Sequence, residues 1–440
     1  MIESRLLDAH EQATEIFNRA ANSYHVVTIS RISGLLNLEI LRQALDLIQK
    51  RHPYLNARII GDVNNMRFQP GASQIPLKIV NKPHSHQWQE VVREELNEKI
   101  ASDKVLMRVV LVKIKNEDNI NYLITTFHHS IIDGLSSVQL HSEILTNCQK
   151  IVSGEVIRDI LSLSPVKTIQ EILPKSMRGF PGFFKGMFYL LKMKLLITIK
   201  KPASLNYEKY VPVESRSSNM LYKQLNAEIT SKIVASSKRE KTTVHGTLCA
   251  ALLLAIAKAI SGNQKENLCL SCISYVNLRQ RLQAEISDND LGMLVAPINL
   301  FHNVKTTEED NNLFWNLARN VKQKLKASLE NDDIYSNLLS SRILASLLLN
   351  NPNQMLSSLA VSNIGRVDIA EVYGEFKLEE ITFLTSVALF AGIIVVSAST
   401  FNQKMSLNFM FSEPSISSKT IEKIADYAIA YLINAVDISK

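Results

Sequence analysis

Phe127-His128-His129-Ser130-Ile131-Ile132-Asp133-Gly134 is the stretch on which the reading of this chain turns. The residues before it, Asn121 to Phe127, are β-branched and aromatic, and predict a strand. After Gly134, Ile144, Leu145, Cys148 and Ile151 recur at helical intervals. The octet therefore marks a strand end, a turn and a helix start. Adjacent strand residues point to opposite faces, so one imidazole at most can face a given cavity while the other supports it. With an unperturbed pKa of about 6.5, imidazole is the side chain best suited to take a proton near neutral pH. Asp133, followed by permissive Gly134, shapes the turn or anchors it through a salt bridge. Spacing leaves its contact with the ring open. The plain alternative is a pair of core histidines with backbone-satisfied N–H groups. Finding both rings together with Asp-Gly at this spacing favours chemistry.

Working outward, residues 26 to 34 read as a strand and Leu38 to Gln49 as a helix that stops before Pro53. Val105 to Ile114 and Asn121 to Phe127 flank the polar loop Asn116-Glu-Asp-Asn as a hairpin. Prolines at 165, 174, 181, 202 and 212 mark a crossover. Beyond it come a strand at Leu221 to Leu225, a helix at Thr247 to Ile260, a strand at Leu268 to Val276 and a helix near Asn312 to Leu329. The chain closes with strands at Ala391 to Ser397 and Lys404 to Phe411 and a helix from Ser418 to about Ala435. At 440 residues the chain exceeds one ordinary core. Alternating strands and helices predict an α/β or α+β two-layer build in each of two halves. The expected division is residues 1–160, a crossover at 161–217 and a second half at 218–440.

Hydrophobic residues at 46% and charged residues at 21% exclude a disordered or collagen-like chain, and no uninterrupted apolar run spans a bilayer. The first residues lack the layout of a secretory signal, so the cytoplasm is the expected compartment. Four cysteines are too few to staple the chain, and Cys269 and Cys272 read as buried strand residues with no second ligand pair for zinc. No metal site is expected. The net charge of +7 is local: Pro174 to Pro202 holds seven basic residues and no acidic one, leaving 42 of each sign elsewhere. That excludes a nucleic-acid-binding surface. The same segment carries Phe184, Met187, Phe188, Leu191 and Leu195 at helical spacing. Two readings compete: a basic amphipathic helix resting on an anionic membrane or a lipid-like substrate, and a linker helix packing its apolar face on the body. The second is favoured, because such stripes are usually core. Ser164-Pro-Val-Lys167 lacks the partner motifs of penicillin-binding enzymes, and His84-Ser-His86 reads as a loop. Phosphate-binding glycine loops and the Gly-x-Ser-x-Gly elbow do not occur.

The octet resembles the His-His-x-x-x-Asp-Gly motif of an acyltransferase superfamily. Its members include nonribosomal peptide condensation domains, polyketide-associated acyltransferases, alcohol acetyltransferases, wax ester synthases and chloramphenicol acetyltransferase. Looser resemblances follow in order: Gly34 to Leu45 with Arg51 to Arg58, Thr243 to Ala251, Val276-Asn-Leu-Arg279, Leu291-Gly-Met-Leu294 and Ser362-Asn-Ile-Gly-Arg366. The resemblance implies two chloramphenicol acetyltransferase-like sandwich halves forming a pseudo-dimer with a tunnel between them. It implies that His129 accepts a proton from an alcohol or amine as that group attacks a thioester, with coenzyme A or an acyl carrier protein as donor and no other cofactor. It implies that Asp133 pairs with an arginine, for which Arg279 is the candidate, and that His128 and Gly134 support the motif. Ser362 and Asn363 are candidate substrate and oxyanion contacts. The Asp-Phe-Gly-Trp motif of the plant-type branch is absent. The expected protein is a stand-alone, monomeric acyltransferase acting on a small-molecule or lipid alcohol or amine. Its rivals are an amide-forming condensation enzyme and a non-catalytic module that docks a carrier protein.

Overall fold

The computed structural model describes residues 3–437 apart from 118, 156, 158, 159, 263, 265, 307–310 and 354–356. The expected hairpin loop includes residue 118, which lies outside the described residues.

Two mixed sheets of six strands each carry the fold. The first runs, edge to edge, Val372–Tyr373, Phe376–Thr385, His25–Ser33, Ile120–His128, Met107–Ile114 and Leu77–Lys82. Ile120–His128 is paired with His25–Ser33 along its whole length and with Met107–Ile114 from Asn121 to Phe127, which explains why nearly all of its residues are buried. The second sheet runs Val295–Lys305, Asn267–Asn277, Leu359–Arg366, Ile394–Phe401, Lys404–Glu413 and Ser217–Leu225. Helices Ala9–Ala21, Leu38–Arg51 and Gly134–Val152 contribute to the first core, and helices Val244–Ser261, Asn311–Glu330 and Ser418–Asp437 to the second. Three helix starts follow their sequence: Asp8 and Glu11 form a reciprocal cap, and Asn37 and Thr243 accept from the third helical N–H. Val244–Ser261 is long and apolar enough to cross a membrane, yet it is the central helix of the second core. Leu248, Leu252, Leu253 and Ile256 are buried there, each stabilising the fold by about 1.5–3 kcal/mol.

The expected division at 218 coincides with the first strand of the second sheet, but the halves are not independent. Val372–Tyr373 and Phe376–Thr385 leave the second half and complete the first sheet, with Phe376–Thr385 running antiparallel to His25–Ser33. A third apolar cluster, including Val27, Trp88 and Ile124 from one half and Met220, Val395 and Met410 from the other, seals the two sheets together.

The crossover corrects one expectation. Its helix, Gly179–Lys200, does not pack its apolar stripe on the body. It seats Gly182, Gly186 and Tyr189 inward against helix Asp333–Asn350 and turns Phe180, Phe184, Phe188, Leu191 and Leu195 to solvent. Of the cysteine pair, Cys272 is buried as expected and Cys269 only half-buried.

Candidate active site

His128 is the last residue of its strand, and His129 opens a single tight turn over His129–Ile131. That junction separates the two rings. The His128 ring is buried against helix Ala9–Ala21, where Nε2 meets Glu15 Oε2 at 2.8 Å and Nδ1 meets Ser130 Oγ at 2.6 Å. Burial alone would raise the Glu15 carboxyl, but hydrogen bonds from His128, Ser102 and Arg19 outweigh it and hold the group at about 2. His128 is thus clamped by a permanent carboxylate.

His129 is oriented differently. Its Nδ1 lies 2.7 Å from the Ile132 carbonyl oxygen. A carbonyl only accepts, so Nδ1 carries the proton and Nε2 keeps its lone pair. Burial, with the ring 6% exposed, pushes the imidazole down to about 4. The ring is therefore neutral at pH 7. Its face stacks on Tyr24, with centroids 4.9 Å apart at 29°. Tyr24 holds a left-handed backbone, φ 73°, uncommon for a bulky residue, and hydrogen-bonds Tyr275.

Asp133 points away from the imidazole and toward the second half. Its carboxylate receives Arg279 Nη1 at 2.7 Å and Nη2 at 3.3 Å, and the Leu294 N–H at 3.2 Å. It also caps helix Gly134–Val152 by accepting from Ser136 N and Oγ, both at 2.9 Å. Burial raises its carboxyl, and Arg279 and the bonds from Ser136 together outweigh it, leaving it below the usual range. The guanidinium is held in turn by the Ser287 and Asp290 carbonyls. One ion pair therefore fixes the motif turn to the opposite half. Gly134 is required by contact: a Cβ there would lie 2.5 Å from Cε2 of Phe383, which belongs to the exchanged strand.

These residues line a cleft of about 800 Å³, open to solvent, between the halves. His129, Asp133 and Gly134 come from one half, and Tyr275, Arg279, Ser362 and Asn363 from the other. Ser362 and Asn363 lie on strand Leu359–Arg366, and the Asn363 side-chain oxygen accepts from the Gly365 N–H at 2.9 Å as the strand breaks register. A second cavity of about 810 Å³, walled mainly by Phe17, Leu344, Leu348, Phe390 and Ile393, shares Tyr24, Tyr275, Thr385 and Val395 with the first. Two chambers thus meet beside His129. Among the described residues no group of three or more His, Cys, Asp or Glu side chains could hold a metal ion.

Residues 12–167 match the family model for condensation domains, and residues 214–411 match that for the phthiocerol/phthiodiolone dimycocerosyl transferase C-terminus. The chain is thus similar to condensation domains over its first part and to an acyltransferase C-terminus over its second, two families of one superfamily. Bacitracin synthase 1 of Bacillus licheniformis is 22% identical over 420 residues, covering 92% of this chain, which spans 7% of the length of that protein. Trichothecene 15-O-acetyltransferase from Fusarium sporotrichioides superposes over 98% of this chain and 95% of its own, with a TM-score of 0.76 at 13% identity. Polyketide synthase associated protein 5 from Mycobacterium tuberculosis does so over 98% and 100%, with a TM-score of 0.69 at 13% identity. These structural likenesses show the superfamily's fold, two chloramphenicol acetyltransferase-like halves in a pseudo-dimer.

Sequence reasoning missed Glu15, Tyr24, Tyr275 and Phe383. Glu15 had a signal: it sits beside buried Ala13, Ile16 and Phe17 on one helix, where an acidic residue needs a partner. Tyr24 and Phe383 had none, because their roles arise from strands distant in sequence.

Proposed function

We propose that this chain transfers an acyl group from a thioester to an alcohol or amine, with His129 as general base. The donor is an acyl-coenzyme A or an acyl carrier protein, and no further cofactor is called for. In this reading the acceptor's oxygen or nitrogen attacks the thioester carbonyl while His129 Nε2 takes its proton. The tetrahedral oxyanion collapses, the C–S bond breaks, and the imidazolium returns its proton to the leaving thiolate. Ser362 and Asn363 are the proposed polar contacts to the substrate and the developing oxyanion. The observation that carries the reading is the His129 ring: neutral, its Nδ1 proton committed to Ile132, and lining a cleft where two chambers meet. Buried neutral imidazole pays no cost of deprotonation before attack, and a positioned base contributes about 10²–10⁴-fold.

The test is thiol release from an acyl-coenzyme A in the presence of a simple alcohol. His129→Ala should lower turnover by about 10²–10⁴-fold while far-ultraviolet circular dichroism stays unchanged. A variant with full turnover refutes the assignment. The match of residues 12–167 to condensation domains favours amide formation as the second reading, and amine acceptors in the same assay separate the two.

A further inference from the structure

The crossover helix Gly179–Lys200 is inverted relative to an ordinary surface helix. Its small residues face the protein: a Cβ on Gly182 would meet Leu339 Cδ1 at 3.0 Å, besides the Met177 carbonyl oxygen of the preceding turn, and one on Gly186 would meet the Ser336 carbonyl oxygen at 3.4 Å. Close approach at these glycines seats the helix on Asp333–Asn350. Tyr189 locks it there through the Asn337 side-chain amide at 3.1 Å. The large apolar residues face outward. Phe180, Phe184, Phe188, Leu191, Leu195 and Ile199 follow one another at three- and four-residue steps, so they form one continuous stripe. They are between 59% and 81% exposed. A contiguous stripe of this kind marks an interaction site rather than scattered surface apolar residues.

The charges beside the stripe select the partner. Lys185 and Lys192 fall on one flank of it and Lys194 on the other, and the helix contains no acidic residue. Lys192 is paired with Asp333 at 3.0 Å on the supporting helix. Lys200 and Lys201 add charge at the end of the helix. Cationic side chains flanking an aromatic and aliphatic face are the pattern of a helix lying in the interface of an anionic bilayer. There the rings enter the acyl boundary and the ammonium groups remain among the headgroups.

We propose that Gly179–Lys200 is a docking surface for an anionic lipid bilayer, which it enters edge-on without spanning it. This is independent of the catalytic reading and adds a location at which the enzyme works. The supporting helix Asp333–Asn350 gives the surface a direct connection to the substrate cavities. Asn337, which holds Tyr189, lines the second, apolar chamber, as do Ser341, Leu344 and Leu348 on the adjoining face.

The experiment is flotation of the full chain with vesicles of phosphatidylcholine and phosphatidylserine, against phosphatidylcholine alone, at low and high salt. The intact chain should float with the anionic vesicles, less so at high salt. Phe184→Ser with Phe188→Ser should lower the bound fraction by about tenfold or more. Both positions are exposed, so the thermal midpoint should stay unchanged, which separates lost binding from lost folding. Lys185→Glu with Lys194→Glu should abolish the preference for anionic vesicles. An intact chain that stays with the soluble fraction, or a serine variant that floats equally well, overturns the proposal. So does sedimentation showing that the stripe instead joins two copies of the chain, with dimers lost in the serine variant and no vesicle binding by the intact protein.

Discussion

Asp133 and Arg279 offer the most direct test of how the two halves hold the motif. Both side chains are almost fully buried, at 4% and 3% exposure, so their pairing is not discounted by solvent. Asp133→Asn is the informative change because asparagine also caps a helix, which preserves the bonds from Ser136. What is lost is charge. An amide in place of one carboxylate oxygen turns a donor toward Arg279 Nη1 or Nη2, which are themselves donors only. Arg279 keeps the Ser287 and Asp290 carbonyls, and Asp288 lies 3.8 Å from its Nε, so the loss falls toward the lower end of the about 3–5 kcal/mol that breaking a buried ion pair costs. Arg279→Ala should cost a similar amount by stranding Asp133, whose remaining partners are Ser136 and the Leu294 N–H. The double variant should cost far less than the two singles added, because each single change already removes the shared interaction. Urea unfolding followed by fluorescence reads this well. The chain has two tryptophans, with Trp88 in the cluster between the sheets and Trp315 in the second core. In the single variants the Trp88 transition should move to lower urea first. Equal midpoints for variant and parent, or strictly additive costs, would refute the claim that this pair clamps the turn to the opposite half.

Further tests address the pH response and the packing of the motif. In its native place His129 titrates at about 4 rather than 6.5, so the unfolded chain takes up its proton first as the pH falls. Stability should therefore be level above about pH 6.5 and decline toward pH 4. Buried His141 at about 3 and His245 and His302 at about 4 add to the same slope, each by about 1.4 kcal/mol per pH unit. Chemical unfolding across pH 4 to 8 checks this, and a midpoint that rises on acidification contradicts it. In the same range kcat/KM for acyl transfer should lose its dependence on His129 protonation above about pH 5, since the ring is already neutral there. Gly134→Ala should destabilise by about 1–3 kcal/mol through its clash with Phe383, measured by thermal unfolding; a neutral result would mean that the exchanged strand moves freely.

Local chemistry made much of this molecule legible from its amino acids. The strand–turn–helix junction at His128 and His129 and the helix that stops before Pro53 follow from composition and spacing alone. Short-range patterning fixes these features because each depends on residues within a few positions of one another. The pairing of Asp133 with Arg279 entered only through resemblance, and the geometry brings the two together across 146 residues. Other features were set by the three-dimensional fold. Strand Phe376–Thr385 pairs with His25–Ser33 from the opposite end of the chain, and its Glu379 and Glu380 interrupt the alternation that would have announced a strand. The stacking of Tyr24 on His129 depends on a backbone conformation that no side-chain pattern encodes. The outward stripe of Gly179–Lys200 misled periodicity, which reports that a helix has an apolar face but not which way it points. That direction is decided by which side can approach a neighbour closely, and here the glycines, not the phenylalanines, make the approach.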